Sequence, residues 1–590
     1  MTNWNLSDIY SSNDDFLKDY ENAKNCLKIL ESYKDKLNRK CKEDILNYFK
    51  ADTEFSVILE KLAVYAHCKN DDNGKDETNI KNYHMINNFF ASISEKLAFV
   101  KTQLSELDND FLNELAKDPD FSDFDLTLKD IIKDKPHTLS EKEEAQMAMV
   151  SAFENSDDIY SALSDIEMEH GTYEDENGNK VKLTTGNINK LMKNPKQAER
   201  LKIQETYLGE YAKLGLTFSG LYLSHLKYMN FISKMYHHNS VLDMLTFGED
   251  VSPNVMYKNI EVVSKKSPLL QKYFDLKKKI LKLDKFYTCD ISADIVTLES
   301  SQKVSYEDAV ADIKNSFSVL GEDYQSMFEK AVHDGWIDAF PRENKASGGY
   351  TISTYSVHPY ILLNFDGTAY WKSAIAHEFG HAMHSYYSAK TQPYDKHDYT
   401  IFVAEVASLT NEILLEHYML GKTSNKKEKI QLLSDFLQLF YLNVYNSSML
   451  AEFELFAHES VANNEPVTGS DFNKKFAELC EKYFGNSVSL VKNFEFDWSR
   501  KSHIYSDYYL YKYSTGLVCA CCVAQKIISD KSGEYVKKYK KFLSLGGSLS
   551  PIESLTVADI DILSDEPYEF AFGMFEDYLD ELERLTKENL

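Results

Sequence analysis

Apolar residues recur at helical intervals along most of this chain. In "DFLKDYENAKNCLKILESYKDKL", Phe16, Tyr20, Ala23, Leu27 and Leu30 fall three or four apart, which gives a helix one buried face. "FSVILEKLAVYAHC" and "NYHMINNFFASISEKLAFVKTQLSEL" repeat the pattern, so residues 1–110 are expected to be helical. The polar stretch 69–78, "KNDDNGKDET", reads as a loop between two of these helices. At 137–153, Ser140 followed three residues later by Glu143 has the form of a helix start. The pattern changes at 171–184, "GTYEDENGNKVKLT", where Asn177-Gly178 divides two runs of strand formers and predicts a hairpin. Helical spacing resumes beyond it. That sets a lobe boundary near 190, with a helical lobe at 1–190 and a second domain at 191–590. The exception in the second domain is 345–368, "KASGGYTISTYSVHPYILLNFDGT", which predicts short strands in "YTISTYS" and "YILLNF". Residues 400–590 read as helical around a polar loop at 421–428. The expected fold is mainly α with a small β component. Only 22 Gly and 11 Pro interrupt 590 residues, which agrees with long helices.

Composition narrows the function classes. A formal net charge of −27 sets the surface against phosphate backbones, so no nucleic-acid partner is expected. No long uncharged apolar run offers a membrane span, and "MTNWNLSDIYSSNDD" lacks the basic and apolar regions of a signal peptide. Cys26, Cys41, Cys68, Cys289, Cys480, Cys519, Cys521 and Cys522 are few and scattered, which suits a reducing cytoplasm. The last three lie in the apolar run "TGLVCACCVAQKI" and read as small buried hydrophobes.

The chemistry centres on "SAIAHEFGHAMHSYYSAK", 373–390. His377 and His381 stand four apart, so on a helix they share a face about 6 Å apart along the axis. Both imidazoles can reach one zinc ion. Glu378 is turned about 100° away, beside the metal, where it can touch a water held there. Such a string is short enough to arise by chance, but its flanks are apolar, and buried polar groups need partners.

Glu405 supplies a third ligand. It sits in "TIFVAEVASLTNEILL" among apolar neighbours, where a carboxylate is out of place unless paired or bound. It follows His381 by 24 residues, enough for one helix to end and a second to return. Two His and one Glu leave a fourth position open, the arrangement of catalytic zinc. His384 shares the histidine face but lies about 10 Å along the axis from His377, too far to join the same ion. Packing or support of a ligand is expected of it.

A second constellation is "DWSRKSHIYSDYYLYKYSTGLVCACC", 497–522. His503 followed by phenols could supply hydrogen-bond donors to an oxyanion. Tyr508 is the first candidate, with Tyr511 and Tyr505 as alternatives.

Taken together, "HEFGHAMHS", "FVAEVAS" and "HIYSDYYLYKYSTG" resemble the oligoendopeptidase F family of thimet-oligopeptidase-like zinc peptidases. The likeness extends to "WNLSDIY", "DENGNKVKLT", "GGYTIS" and "NFDGT", and so over essentially the whole chain. The resemblance implies an ellipsoidal helical fold with a deep central cleft whose narrow entrance admits short peptides. It implies one zinc per chain on His377, His381 and Glu405, with Glu378 as the catalytic carboxylate. It matches His503 and the tyrosines near it to a segment that stabilises the transition state.

The expected activity is endopeptidase cleavage of short peptides. The "YILLNF" segment could pair with substrate as an added strand, or be an ordinary core strand. Gly348-Gly349 could close a loop over peptide, or form a simple turn. A zinc carboxypeptidase or dipeptidase is an alternative, and it would need a cation such as Arg342 or Arg500 for the substrate carboxylate. A non-catalytic helical binding protein is another.

Overall fold

A computed structural model describes residues 2–151, 153–296 and 303–587. The chain is 71% helical, so its layers are helix on helix. It packs as two units that interleave along the sequence. The first comprises Met1–Glu141, Ser301–Met419 and Val523–Asp559, the second Lys142–Ser300, Leu420–Cys522 and Ile560–Leu590. Five short strands accompany the helices among the described residues. β1 (Thr172–Glu174) and β2 (Lys180–Lys182) belong to the second unit, and β3 (Ile337–Asp338), β4 (Tyr350–Ile352) and β5 (Tyr360–Leu362) to the first.

In the first unit, helices Asn13–Glu31, Lys42–Asp72 and Glu77–Leu97 pack side by side. Phe16, Ala23, Leu27 and Leu30, the residues picked out by spacing, are buried. Each large one contributes about 2 kcal/mol of apolar burial. Ser12 caps the first helix by accepting from the Asp15 N–H. The same core takes in Tyr360 of β5, and the Trp4 indole donates to the Ile361 carbonyl at 2.9 Å. The helices thereby seat the sheet.

That sheet runs in the order β3-β5-β4, with β5 parallel to β3 and antiparallel to β4. β5 is buried throughout and paired on both sides, so "YILLNF" has no free edge for an added peptide. It is the core strand, and β4 stands at an edge of the sheet. The loop from β3 to β4 is pinned by Asp338, which accepts two bonds from Arg342 (2.7 and 2.6 Å) and one from buried Lys345 (2.9 Å). Lys345 also donates to the carbonyls of Phe340 and Leu363. Gly348, at φ +84, then turns the chain into β4, a conformation that only glycine holds freely.

In the second unit, β1 and β2 form the expected hairpin, with Tyr173 opposite Val181. Its connection is five residues long. Asp175 Oδ1 accepts from the N–H groups of Asn177 and Asn179, and Gly178 takes φ +80. Arg200 and Asp290 form a buried ion pair at 2.6 Å. Cys519, Cys521 and Cys522 are buried in helix Leu510–Ser529. Among the described residues no disulfide forms, and no helix is long and apolar enough to cross a membrane.

Candidate metal centre

The HEFGH string lies on helix Ala369–Thr391, which ends before Pro393. Ile375, Ala376, Phe379, Ala382 and Met383 are buried along it. The Phe379 ring meets Phe328 at 4.8 Å, Tyr324 at 5.6 Å and Phe317 at 5.7 Å, all in the first unit. That aromatic box fixes the rotation of the helix. His377 and His381 then share one face, with ring centroids 4.9 Å apart.

The second helix, Ile401–Lys422, crosses at Gly380. A Cβ there would stand 2.5 Å from Ser408 Cα and 2.6 Å from the Ala407 carbonyl oxygen. Only a residue without a side chain lets the two backbones come so close. The approach carries Glu405 to the histidines. Its Oε2 is 3.6 Å from His377 Nε2 and 3.8 Å from His381 Nε2. One ligand atom from each of the three lies within 4.8 Å of the others, and among the described residues this is the only such group. Donors on a tetrahedral zinc with bonds of about 2 Å lie about 3.3 Å apart. The donor set and spacing therefore fit zinc with a small inward shift.

Further polar residues orient these donors. Glu412 Oε1 lies 2.6 Å from His377 Nδ1, so His377 donates there and turns Nε2 towards Glu405. Ser373 donates to Glu412 Oε2 at 2.7 Å, and Ser408 to Glu405 Oε2 at 2.8 Å. Asn411 ties the helices by donating to the Ala376 carbonyl, and accepts from Tyr324. Glu378 is buried, and Thr351 of β4 lies 2.7 Å from its Oε2 as donor. None of these supporting residues was picked out from sequence. Glu412 carried a signal, since it stands two turns after Glu405 on the same helix face. Thr351 carried none, because strand pairing places it.

Burial pushes the Glu378 carboxyl above its ordinary range, against the pull of His377 and Thr351. Burial also opposes charge on His377, but Glu412, with Glu405 and Glu378 behind it, lifts that imidazole to about 9. His381 falls to about 4 through burial and the charge on His377. Without metal, the pair therefore keeps its proton on His377. His384 lies outside the donor group. It is buried and driven down to about 3, and its ring stacks on Tyr399 at 3.6 Å.

In the second unit, His503 is exposed, and its ring lies 6.4 Å from Tyr509 and 6.2 Å from Tyr513. Burial, then Lys501, lowers its pKa. Tyr508, Tyr511 and Tyr505 are buried. Tyr508 takes φ +54 and sets its ring over His458. The phenols beside His503 are thus Tyr509 and Tyr513, and the candidates Tyr508 and Tyr511 lie in the packed interior of the unit.

Fold and site together define a helical protein with a His–His–Glu donor set and a buried carboxylate next to it. The family profile described as peptidase family M3 matches residues 190–574, and that of oligopeptidase F matches residues 103–169. The chain belongs to peptidase family M3. It is 30% identical to the oligopeptidase PepF of Bacillus subtilis, over 99% of this chain and 87% of that one. It is 29% identical to an oligoendopeptidase F homolog of Borreliella burgdorferi, over 99% and 98%. A crystal structure of a Chlamydophila abortus protein matches with a TM-score of 0.91 and 28% identity, covering 99% of this chain and 98% of that one. The oligoendopeptidase-F of Enterococcus faecium matches with a TM-score of 0.73 and 25% identity, over 98% and 99%.

Proposed function

We propose that this peptidase is a zinc-dependent endopeptidase that hydrolyses internal bonds of short oligopeptides, with one zinc per chain on His377, His381 and Glu405. The observation that carries this reading is the convergence of those three donors beside the buried carboxylate of Glu378. Bound zinc supplies Lewis acidity to a water and to the scissile carbonyl. Glu378 takes the proton of the attacking water and hands it to the leaving amine. Its burial suits this work, because a raised pKa brings a carboxylate closer to the operating pH. Glu412 keeps the Nδ1 proton of His377 and leaves Nε2 as the metal-facing nitrogen. The edge of β4, next to Thr351 and Glu378, is where an extended peptide would add by main-chain hydrogen bonds, with little regard to sequence. The resemblance assigns oxyanion donation to His503 and the tyrosines near it, with Tyr508 and Tyr511 the candidates read from the sequence.

The exopeptidase alternative needs a free cation, and neither proposed arginine is free. Arg342 is held by Asp338 and Asp72, and Arg500 by Asp497. Mapping the cleavage of a peptide blocked at both ends tests the reading. Internal cuts are expected, whereas an intact blocked peptide beside a trimmed unblocked one would refute endopeptidase action.

A further inference from the structure

A second knot of buried titratable groups lies wholly within the second unit, around Asp507. Asp507 Oδ1 is 2.8 Å from His458 Nε2, and both its oxygens are 3.1 Å from His225 Nε2. The other nitrogen of His225 faces Glu154 Oε1 at 3.2 Å. With a carboxylate at each nitrogen, His225 is a donor on both sides, which makes it an imidazolium. His458 comes from helix Ser447–Ala462, and so does Glu454, one turn earlier on the same face. Glu454 Oε1 accepts the main-chain N–H of Tyr508 at 3.0 Å.

These bonds converge on the turn between His503 and helix Leu510–Ser529. Tyr508 holds φ +54 there, a left-handed conformation that an aromatic residue keeps only when its surroundings over-determine it. Its ring lies 4.8 Å from that of His458, and the Tyr505 ring meets His225 edge-on at 5.4 Å. A buried ionic cluster is a costly way to fill a core, and apolar residues would fill it as well. What the cluster provides is direction. Asp507 is gripped from two helices, while Glu454 grips the adjacent backbone.

We propose that Asp507, clamped by His225 and His458, is a positioning residue that holds the His503–Tyr513 segment in its reactive shape. The proposal rests on the peptidase reading above. Donors to a developing oxyanion act only when placed to within a fraction of an ångström, so a loosened clamp weakens the chemical step more than substrate binding.

The test compares Asp507→Asn, His458→Gln and His458→Leu with wild type on an end-blocked peptide, with zinc content and hydrogen exchange measured alongside. Asp507→Asn keeps the shape but loses the charge and turns an amide N–H towards a histidine donor. For it we expect kcat to fall at least about tenfold with KM within about twofold, unchanged zinc content, and faster exchange in 503–509. The glutamine of His458→Gln can still donate to Asp507, so that variant should keep most of the activity that His458→Leu loses. If Asp507→Asn fails to fold, the two His458 variants carry the test alone. Unchanged kcat in a folded Asp507→Asn, or equal losses in His458→Gln and His458→Leu, would overturn the proposal. A wild type that cuts no peptide defeats the peptidase reading itself, a result visible before any variant is compared.

Discussion

Gly380 and Ser408 meet backbone to backbone. The absent Cβ of Gly380 would fall 2.5 Å from Ser408 Cα, and the contact joins the helix of His377 and His381 to the helix of Glu405. Neither neighbouring atom is the end of a flexible side chain, so Gly380→Ala must push the helices apart. The expected cost is about 1–3 kcal/mol of stability. Glu405 moves with its helix, so the variant should also bind zinc more weakly than a surface substitution of equal stability cost. Thermal unfolding and zinc titration check both effects.

Glu412 bonds to His377 and to no donor proposed for the metal other than that histidine. Glu412→Gln keeps the volume and removes the charge that fixes the imidazole. A supporting carboxylate of this kind is typically worth roughly 10–100-fold in metal affinity or activity. The loss should appear as faster zinc release to a chelator, with the fold intact by circular dichroism.

Thr351 is the link from the edge strand β4 to Glu378. Its hydrogen bond favours the ionised carboxylate and offsets part of the rise caused by burial. Thr351→Val removes that offset, so the pKa of Glu378 rises further. A general base must be ionised, and the acid limb of the kcat/KM profile should therefore move to higher pH. One lost hydrogen bond of this type corresponds to about a tenfold fall in rate below the limb, with zinc content unchanged. A profile superimposable on wild type would place Thr351 outside the chemistry.

Much of the centre is legible in the sequence because its decisive features are local. His377, Glu378 and His381 are set by helical spacing, and Glu405 betrays itself as a charge amid apolar residues. The N-terminal helices are legible for the same reason, since Phe16, Ala23, Leu27 and Leu30 repeat at one face. What depends on long-range packing is not. β3 is two residues long and owes its existence to pairing with β5, so its sequence carries no alternation. The core position of "YILLNF" follows from that same pairing. The tyrosines of 505–513 look equivalent as a string, yet the left-handed turn at Tyr508 buries some and leaves Tyr509 beside His503. Asp507 reads as one more polar residue until His225 and His458, far away in sequence, close on it.

The central claim is that His377, His381 and Glu405 hold zinc while Glu378 moves the proton. Metal analysis and cleavage of an end-blocked peptide by wild type and Glu378→Gln test it most directly. About one zinc per chain is expected in both proteins, with hydrolysis present in wild type and lost in the variant. Full activity in Glu378→Gln, or a wild type that cleaves peptide with no bound metal, would contradict it.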